Sequence, residues 1–197
     1  MEQRSKEWFE ARRGRVTASM ASVLMAPRGL GNPAQKYAKE ILSEQISYFF
    51  EEDTYMSYAM QQGIDLEPMA RERYEKDNMV EVIEDGFITK GKDLGCSPDG
   101  LIDTDGGLEI KCPQPAKHMD NLLSENCPKE YIDQVQFSLL VTDRKYWDVM
   151  TFNPTFHDPY QTKVWRVTPD EDWRELFAER LDDFQELIKK YKDRLIG

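Results

Sequence analysis

The sequence predicts an α/β fold, a mixed central β-sheet flanked by α-helices, and three observations lead there. Apolar residues recur at helical spacing in two long stretches, Tyr37 to Phe50 and Trp173 to Leu195. Between them, from Met79 to Ile110, short runs alternate apolar and polar residues and are parted by glycine-bearing turns. Helix and strands then interleave again, with a helical run at Tyr131 to Val141 and strands at Tyr146–Phe152 and Val164–Val167, both read as sheet edges. Such a chain suits a single domain over residues 1–197, long enough to bury a sizeable core.

At the start, Ser5 is placed to cap a short helix carrying Trp8, Phe9 and Arg12. After Gly14, Val16-Thr17-Ala18-Ser19 reads as a turn into a second helix, Met20 to Met25, with Thr17 and Ser19 both suited to cap it. A helix N-terminus beside Arg12 can form an anion pocket, although most such caps are only caps. A loop from Pro27 to Pro33 leads to a helix that Asn32 caps and Pro33 starts. Its apolar stripe runs through Tyr37, Ala38, Ile41, Leu42, Ile46, Phe49 and Phe50, and Glu51-Glu52-Asp53 ends it. A further helical segment is expected to break at Gly63 and Pro68.

Strands follow. Met79–Ile83 runs out, Glu84-Asp85-Gly86 turns, and Phe87-Ile88-Thr89 returns. The stretch Gly95 to Pro113 then reads as a short strand ending at Ser97-Pro98, a turn carrying Asp99, and a hairpin. That hairpin turns through Asp103-Thr104-Asp105-Gly106-Gly107, where the glycines can supply positive φ. On the returning strand, Leu108 and Ile110 share one face while Glu109 and Lys111 share the other. Gln114 to Lys129 reads as irregular, and its His118 is left without a role. Thr168-Pro169-Asp170-Glu171 reads as a capping box with Pro169 at the first helical position, opening the long last helix.

Asp99, Glu109 and Lys111 make a small convergent polar cluster. Converging carboxylates give a hard divalent cation its anionic oxygen ligands. A lysine beside the ion can orient a water whose pKa the metal lowers. A bare Glu-x-Lys is more often the exposed face of a hairpin, but the flanking Ser-Pro-Asp-Gly and its spacing reverse that preference. Pro98-Asp99, a hairpin, then Glu109-x-Lys111 resembles the PD-(D/E)XK nuclease superfamily, which implies a restriction-endonuclease-like core. Together with Gly14–Ser19, Cys96–Leu101, Leu108–Pro113 and Gln134-Val135-Gln136, the pattern is similar to the phage lambda exonuclease, or YqaJ-type viral recombinase, family. The likeness runs from about Trp8 to Val141.

What the resemblance implies is specific. Asp99, Glu109 and the main-chain carbonyl of Ile110 would hold metal, two Mg²⁺ ions that Mn²⁺ can replace, with Lys111 at the nucleophile. Glu67 matches a helical acid that follows a glycine at this spacing; otherwise it is one surface acid among several, such as Glu72 and Glu75. Gln134 matches a glutamine that faces the site, while Gln136 points elsewhere on the helix. Arg12 and Ser19 match positions that hold a terminal 5′-phosphate. The implied activity degrades one strand of linear double-stranded DNA from its 5′ end, leaving 3′ single-stranded overhangs for recombination by strand annealing. The implied partners are double-stranded DNA ends, a homotrimeric ring of this chain, and a phage single-strand annealing protein in the bacterial host cytoplasm. Met60 is either a core residue, as its spacing favours, or an exposed wedge that unstacks the terminal base pair. Two alternatives stay open: a structure-specific or restriction-type endonuclease, and a non-catalytic module that binds DNA ends.

Charge and cysteines narrow the field. The net charge is −11, yet residues 1–39 carry eight Lys/Arg against three Glu, a local +5 that leaves −16 on the remainder. A basic arm of that kind suits a DNA groove, though a chance basic end on an acidic surface would read the same. Three scattered cysteines without a Cys-x-x-Cys pair argue against a zinc site, a disulfide framework or a four-thiolate cluster, and fit a reducing compartment. Cys96 and Cys112 flank the polar cluster and read as packing residues. No apolar run approaches membrane-spanning length, and no signal-peptide core is expected near Trp8 and Phe9.

Overall fold

A computed structural model describes residues 1–48 and 57–196, so Phe49, Phe50 and Glu51-Glu52-Asp53 lie outside the described residues. In chain order the elements are α1 (Lys6–Arg12), β1 (Val16–Thr17), a 3₁₀ turn (Ala18–Met20), α2 (Ala21–Leu24), α3 (Asn32–Ile46) and α4 (Tyr58–Asn78). Next come β2 (Val82–Ile83), β3 (Ile88–Lys90), β4 (Leu94–Cys96), β5 (Gly100–Ile102) and β6 (Gly106–Lys111). The chain ends with α5 (Pro115–Leu123), α6 (Lys129–Thr142), β7 (Tyr146–Phe152), β8 (Thr162–Val167) and α7 (Glu171–Ile196).

The expected mixed α/β architecture is present, but the strands divide between two sheets, β1-β4-β3 and β2-β5-β6-β7-β8. β1–β4 and β6–β7 pair parallel; the remaining ladders are antiparallel. β2 and β3 are therefore not a hairpin. β2 pairs with β5 and β3 with β4, so the chain crosses between sheets at Glu84–Gly86. The crossing is held from outside the sheets, because the indole N–H of Trp8 donates to the Gly86 carbonyl at 2.9 Å. Sequence alternation cannot see such a partner.

Three further differences have local causes. In the β5–β6 hairpin the positive φ belongs to Asp103 (46°), not to the paired glycines. Gly106 and Gly107 lie within β6 instead, where a Cβ would collide with the rings of Tyr146 and Trp147 on β7. α4 continues unbroken past Gly63 and Pro68. The ring nitrogen at Pro68 donates no ladder bond, but Ala70 and Tyr74 are buried a turn beyond, and the Tyr74 hydroxyl donates to Asp148 at 2.6 Å. The segment after Gln114 forms α5 rather than an irregular loop. Its buried residues are His118 and Asn121, hydrogen-bonded to Thr151 at 3.0 and 3.2 Å, so no apolar period announces it.

Caps shift by a residue or more. Ser5 caps α1 as expected, accepting from Trp8 N. Gly31, not Asn32, precedes α3, and neither Thr17 nor Ser19 caps the short helix after them. Asp170 caps α7 by accepting from Trp173 N at 3.1 Å, while the Thr168 carbonyl accepts from Gln136. Of the two strands expected at sheet edges, β7 is central and buried along nearly all its length, and β8 alone lies at an edge.

The larger sheet is covered on both faces. α4 lays Ala70 and Tyr74 on Leu108, Ile110 and Met150. On the other face α6 lays Val135 and Leu139 on Trp147, Val149 and Trp165. A third cluster joins α2, α3, α6 and α7 through Leu24, Ile41, Phe137, Phe177 and Phe184. Burying each such large side chain contributes about 1.5–3 kcal/mol. β6 thus emerges between α4 and α6, which sets what surrounds its last residues.

Candidate active site

Glu109, Ile110 and Lys111 close β6, and each finds a partner from a different part of the chain. Glu109 is 3% exposed. Its Oε1 accepts from Lys111 Nζ at 2.7 Å and from Gln134 Nε2 at 2.6 Å. Lys111 also donates to Gln134 Oε1 at 3.0 Å, closing a three-membered ring of side chains. The Tyr131 ring lies 5.5 Å beneath the same ammonium, one helical turn before Gln134. Asp99 stands in the loop between β4 and β5, where its Oδ2 accepts from Ile110 N at 2.6 Å. That bond pins the loop acid to the strand. Gln136 faces away, bonded to Thr168 and Asp170, as its position two residues on requires.

Glu67 reaches the cluster from α4. Its carboxylate accepts from Arg71 at 2.7 Å, and the same arginine donates to the Asp99 carbonyl at 3.1 Å. Burial, then the Glu109 and Glu67 charges, push Asp99 well above the ordinary carboxylate range. Burial also raises Glu67, with Arg71 and Arg4 pulling the other way. For Lys111, burial would lower the pKa, but Glu109 and Asp99 outweigh it and hold the ammonium charged. Burial is thus the main reason that both acids are raised, and the carboxylate charges around them add to it.

Among the described residues, no group of three or more His, Cys, Asp or Glu side chains is arranged to hold a metal ion as it stands. Each carboxylate is engaged through one oxygen: Asp99 Oδ2 with a main-chain N–H, Glu109 Oε1 with Lys111 and Gln134, and Glu67 Oε1 with Arg71. The chemistry of the set nonetheless fits a hard divalent cation. Its donors are carboxylate oxygens, and an added positive charge would offset both the burial of Asp99 and Glu67 and the repulsion between neighbouring carboxylates that adds to it. Cys96 and Cys112 add no reactive thiol, since burial pushes both up to about 12.

Beside this cluster lies a cleft of about 280 Å³ lined by Arg12, Arg15, Thr17, Ser19, Tyr37 and Glu44, among others. Arg12 and Ser19 thus line one cavity. The Arg12 guanidinium stacks 4.1 Å from the Trp8 ring centroid and reaches the Ser97 hydroxyl at 3.4 Å. Trp8 donates to the same hydroxyl at 2.9 Å. The Ser19 hydroxyl lies 3.4 Å from that of Thr17. Ser97 precedes Pro98 and Asp99, so one short loop borders both the cleft and the acid cluster.

Sequence reasoning passed over Ser97, Trp8 and Arg71. Arg71 sits four residues after Glu67 on a helix, a spacing that puts opposite charges side by side and was open to reading. Trp8 and Ser97 meet only through the fold. Met60 is 53% exposed, which removes it from the core that its spacing favours. His118 is buried between Thr151 and the Tyr160 carbonyl, away from these residues' chemistry. Among the described residues no helix is long and apolar enough to cross a membrane.

The family model of the YqaJ-like viral recombinase domain matches residues 7–145. The crystal structure of an alkaline exonuclease (LHK-Exo) from Laribacter hongkongensis superposes with a TM-score of 0.84, at 29% identity over 98% of each chain. The same exonuclease in complex with dAMP gives the same values. A phage-related exonuclease from Haemophilus somnus 129PT superposes with a TM-score of 0.73 over 92% of this chain and 96% of its own, at 11% identity, a likeness of fold alone. No curated protein matches the chain.

Proposed function

The chain belongs to the YqaJ-like viral recombinase family, and on that premise we propose that it is a divalent-metal-dependent 5′-to-3′ exonuclease acting on linear duplex DNA. The observation that carries this reading is the ring of Glu109, Lys111 and Gln134 joined through Ile110 to Asp99, next to the Arg12 cleft. The alkaline exonuclease of similar sequence and fold supports nuclease chemistry.

Asp99, Glu109, Glu67 and the Ile110 carbonyl would hold two Mg²⁺ ions, or Mn²⁺, which when bound supply a water of lowered pKa and charge stabilisation at the phosphoryl oxygens. Lys111, fixed by Glu109 and Gln134, orients the attacking water and offsets charge that develops on the phosphate. Gln134 holds both neighbours while adding no negative charge to a site already rich in it. Arg12 and Ser19 take the terminal 5′-phosphate, which fixes the phosphodiester presented to Asp99. The product is a 3′ single-stranded overhang, passed in the host cytoplasm to a phage annealing protein.

A lone subunit with −16 outside its first 39 residues would be repelled by DNA. A homotrimeric ring that turns its basic arms inward removes that difficulty, and sedimentation should return a trimer at micromolar concentration. The activity itself is tested with linear and closed-circular duplex, each with Mg²⁺ and with chelator. Linear DNA should vanish only with Mg²⁺ while circles persist. Cut circles would favour an endonuclease, and DNA loss in chelator would end the metal mechanism.

A further inference from the structure

Arg71 has no counterpart among the acids, lysine and glutamine assigned above, yet it touches two of them. Its side chain is 11% exposed and all three guanidinium nitrogens are engaged. One NH₂ donates to Glu67 Oε1 at 2.7 Å, Nε donates to the Asp99 carbonyl at 3.1 Å, and the other NH₂ pairs with Glu84 at 2.7 Å. Glu84 is 71% exposed, so that outer pair contributes little. Of the two inner bonds, the one to Glu67 lies within α4 and the one to the Asp99 carbonyl crosses to the Ser97–Asp99 loop, so that together they tie Glu67 to that loop. They are not needed to anchor the helix, because Ala70 and Tyr74 already fix it to the larger sheet through the core and Asp148.

We propose that Arg71 is a positioning residue that locks Glu67 and the Asp99 loop into one unit. This rests on the nuclease reading of the same site. Three carboxylates crowd here, and without a clamp their repulsion would let Glu67 swing toward solvent on its flexible stem. A planar fork can satisfy a carboxylate and a carbonyl at once, which a lysine ammonium at the same place does not reproduce.

The test is Arg71→Lys in two backgrounds, the parent and Glu67→Gln, with kinetics and thermal melts. In the parent background kcat should fall about 100-fold, as expected for misplaced site groups, with little change in the KM for DNA. In the Glu67→Gln background the same substitution should cost several-fold less, because the partner it holds has already lost its charge. Melts give an activity-independent reading: Mn²⁺ should raise the parent midpoint, and Arg71→Lys should lose most of that rise. Equal kinetic costs in the two backgrounds, or an unaltered Mn²⁺ shift, would overturn the assignment. So would a metal-free midpoint lowered by more than about 5 °C, which would make Arg71 an anchor of α4 instead. A parent that binds Mn²⁺ but leaves DNA intact would end the nuclease reading and leave the clamp to stand or fall on the melts.

Discussion

The Arg12 cleft and a second cavity, lined by Glu67, Arg71, Pro98 and Asp99, meet at the Ser97–Pro98–Asp99 loop and present opposite charges. On one side Asp99, Glu67 and Glu109 crowd together, with Asp99 and Glu67 raised first by burial and then by the neighbouring carboxylate charges. On the other, Arg12 is half-buried against Trp8 and Phe87 with the Ser97 hydroxyl as its hydrogen-bond partner, and loss of solvent pulls its guanidinium below its usual value. Each site bears a charge that its surroundings leave underpaid. On the proposed function, a phosphate end in the Arg12 cleft and cations among the acids would balance both. Chemistry and end recognition would then sit in separate places, and mutations should separate them.

The largest effect should come from the acid side. Asp99→Ala or Lys111→Ala should each lower the rate by roughly 10³-fold or more, the scale of losing a group that stabilises developing charge. The ratio of rates on 5′-phosphate and 5′-hydroxyl ends should survive in whatever activity remains, since Arg12 is untouched. Initial rates on both ends, for parent and variants, check this. A Lys111→Ala enzyme within a few-fold of the parent would make Lys111 a structural ion-pair partner of the buried Glu109 and nothing more.

Arg12→Ala should give the complementary result. Charge-assisted bonds from a guanidinium reward a terminal phosphate over a diester, so the parent should prefer a 5′-phosphate end by roughly 10-fold. The variant should lose that preference while its rate on 5′-hydroxyl DNA changes far less. Added salt should narrow the parent's preference too. If parent and variant show the same ratio, the end-binding pocket lies elsewhere and the two cavities are not partners.

The acid cluster was the more legible of the two because it is local. Asp99, Glu109, Ile110 and Lys111 lie within thirteen residues on a hairpin, where alternation alone sorts Glu109 and Lys111 onto one face. Gln134 and Glu67 arrive from helices far along the chain and were reachable only through resemblance. The Arg12 cleft was legible in its charges but not in its frame. Thr17 and Ser19 read as caps, yet the tertiary fold turns Val16–Thr17 into a strand paired with β4, leaving the serine hydroxyl for the cavity. The β2–β3 hairpin misled for a related reason: local turn chemistry was right about the bend and silent about which sheet each strand joins.

The smallest effect concerns stability, and it asks whether the acid side is held under strain while the Arg12 side is not. The folded protein raises the Asp99 pKa through burial first and then through Glu109 and Glu67. A carboxyl raised on folding contributes fully below its unfolded value near ~4, and that contribution is lost as pH climbs through the folded value. Asp99→Asn keeps an oxygen to accept from Ile110 N and never ionises. In chelator it should therefore melt like the parent at acid pH and above it at neutral pH. The expected gain is a rise of roughly 2–4 °C in the midpoint, the smallest effect among these tests. Mg²⁺ should shrink or reverse the gap, because only the parent offers the cation an anionic ligand at that position. Arg12→Ala should show no such trend between pH 5 and 8, since a guanidinium stays protonated throughout. Melts of the three proteins across that range, with and without Mg²⁺, decide it. A parent already more stable than Asp99→Asn at neutral pH in chelator would show that the acids are compensated, and the contrast between the two cavities would lose its electrostatic basis.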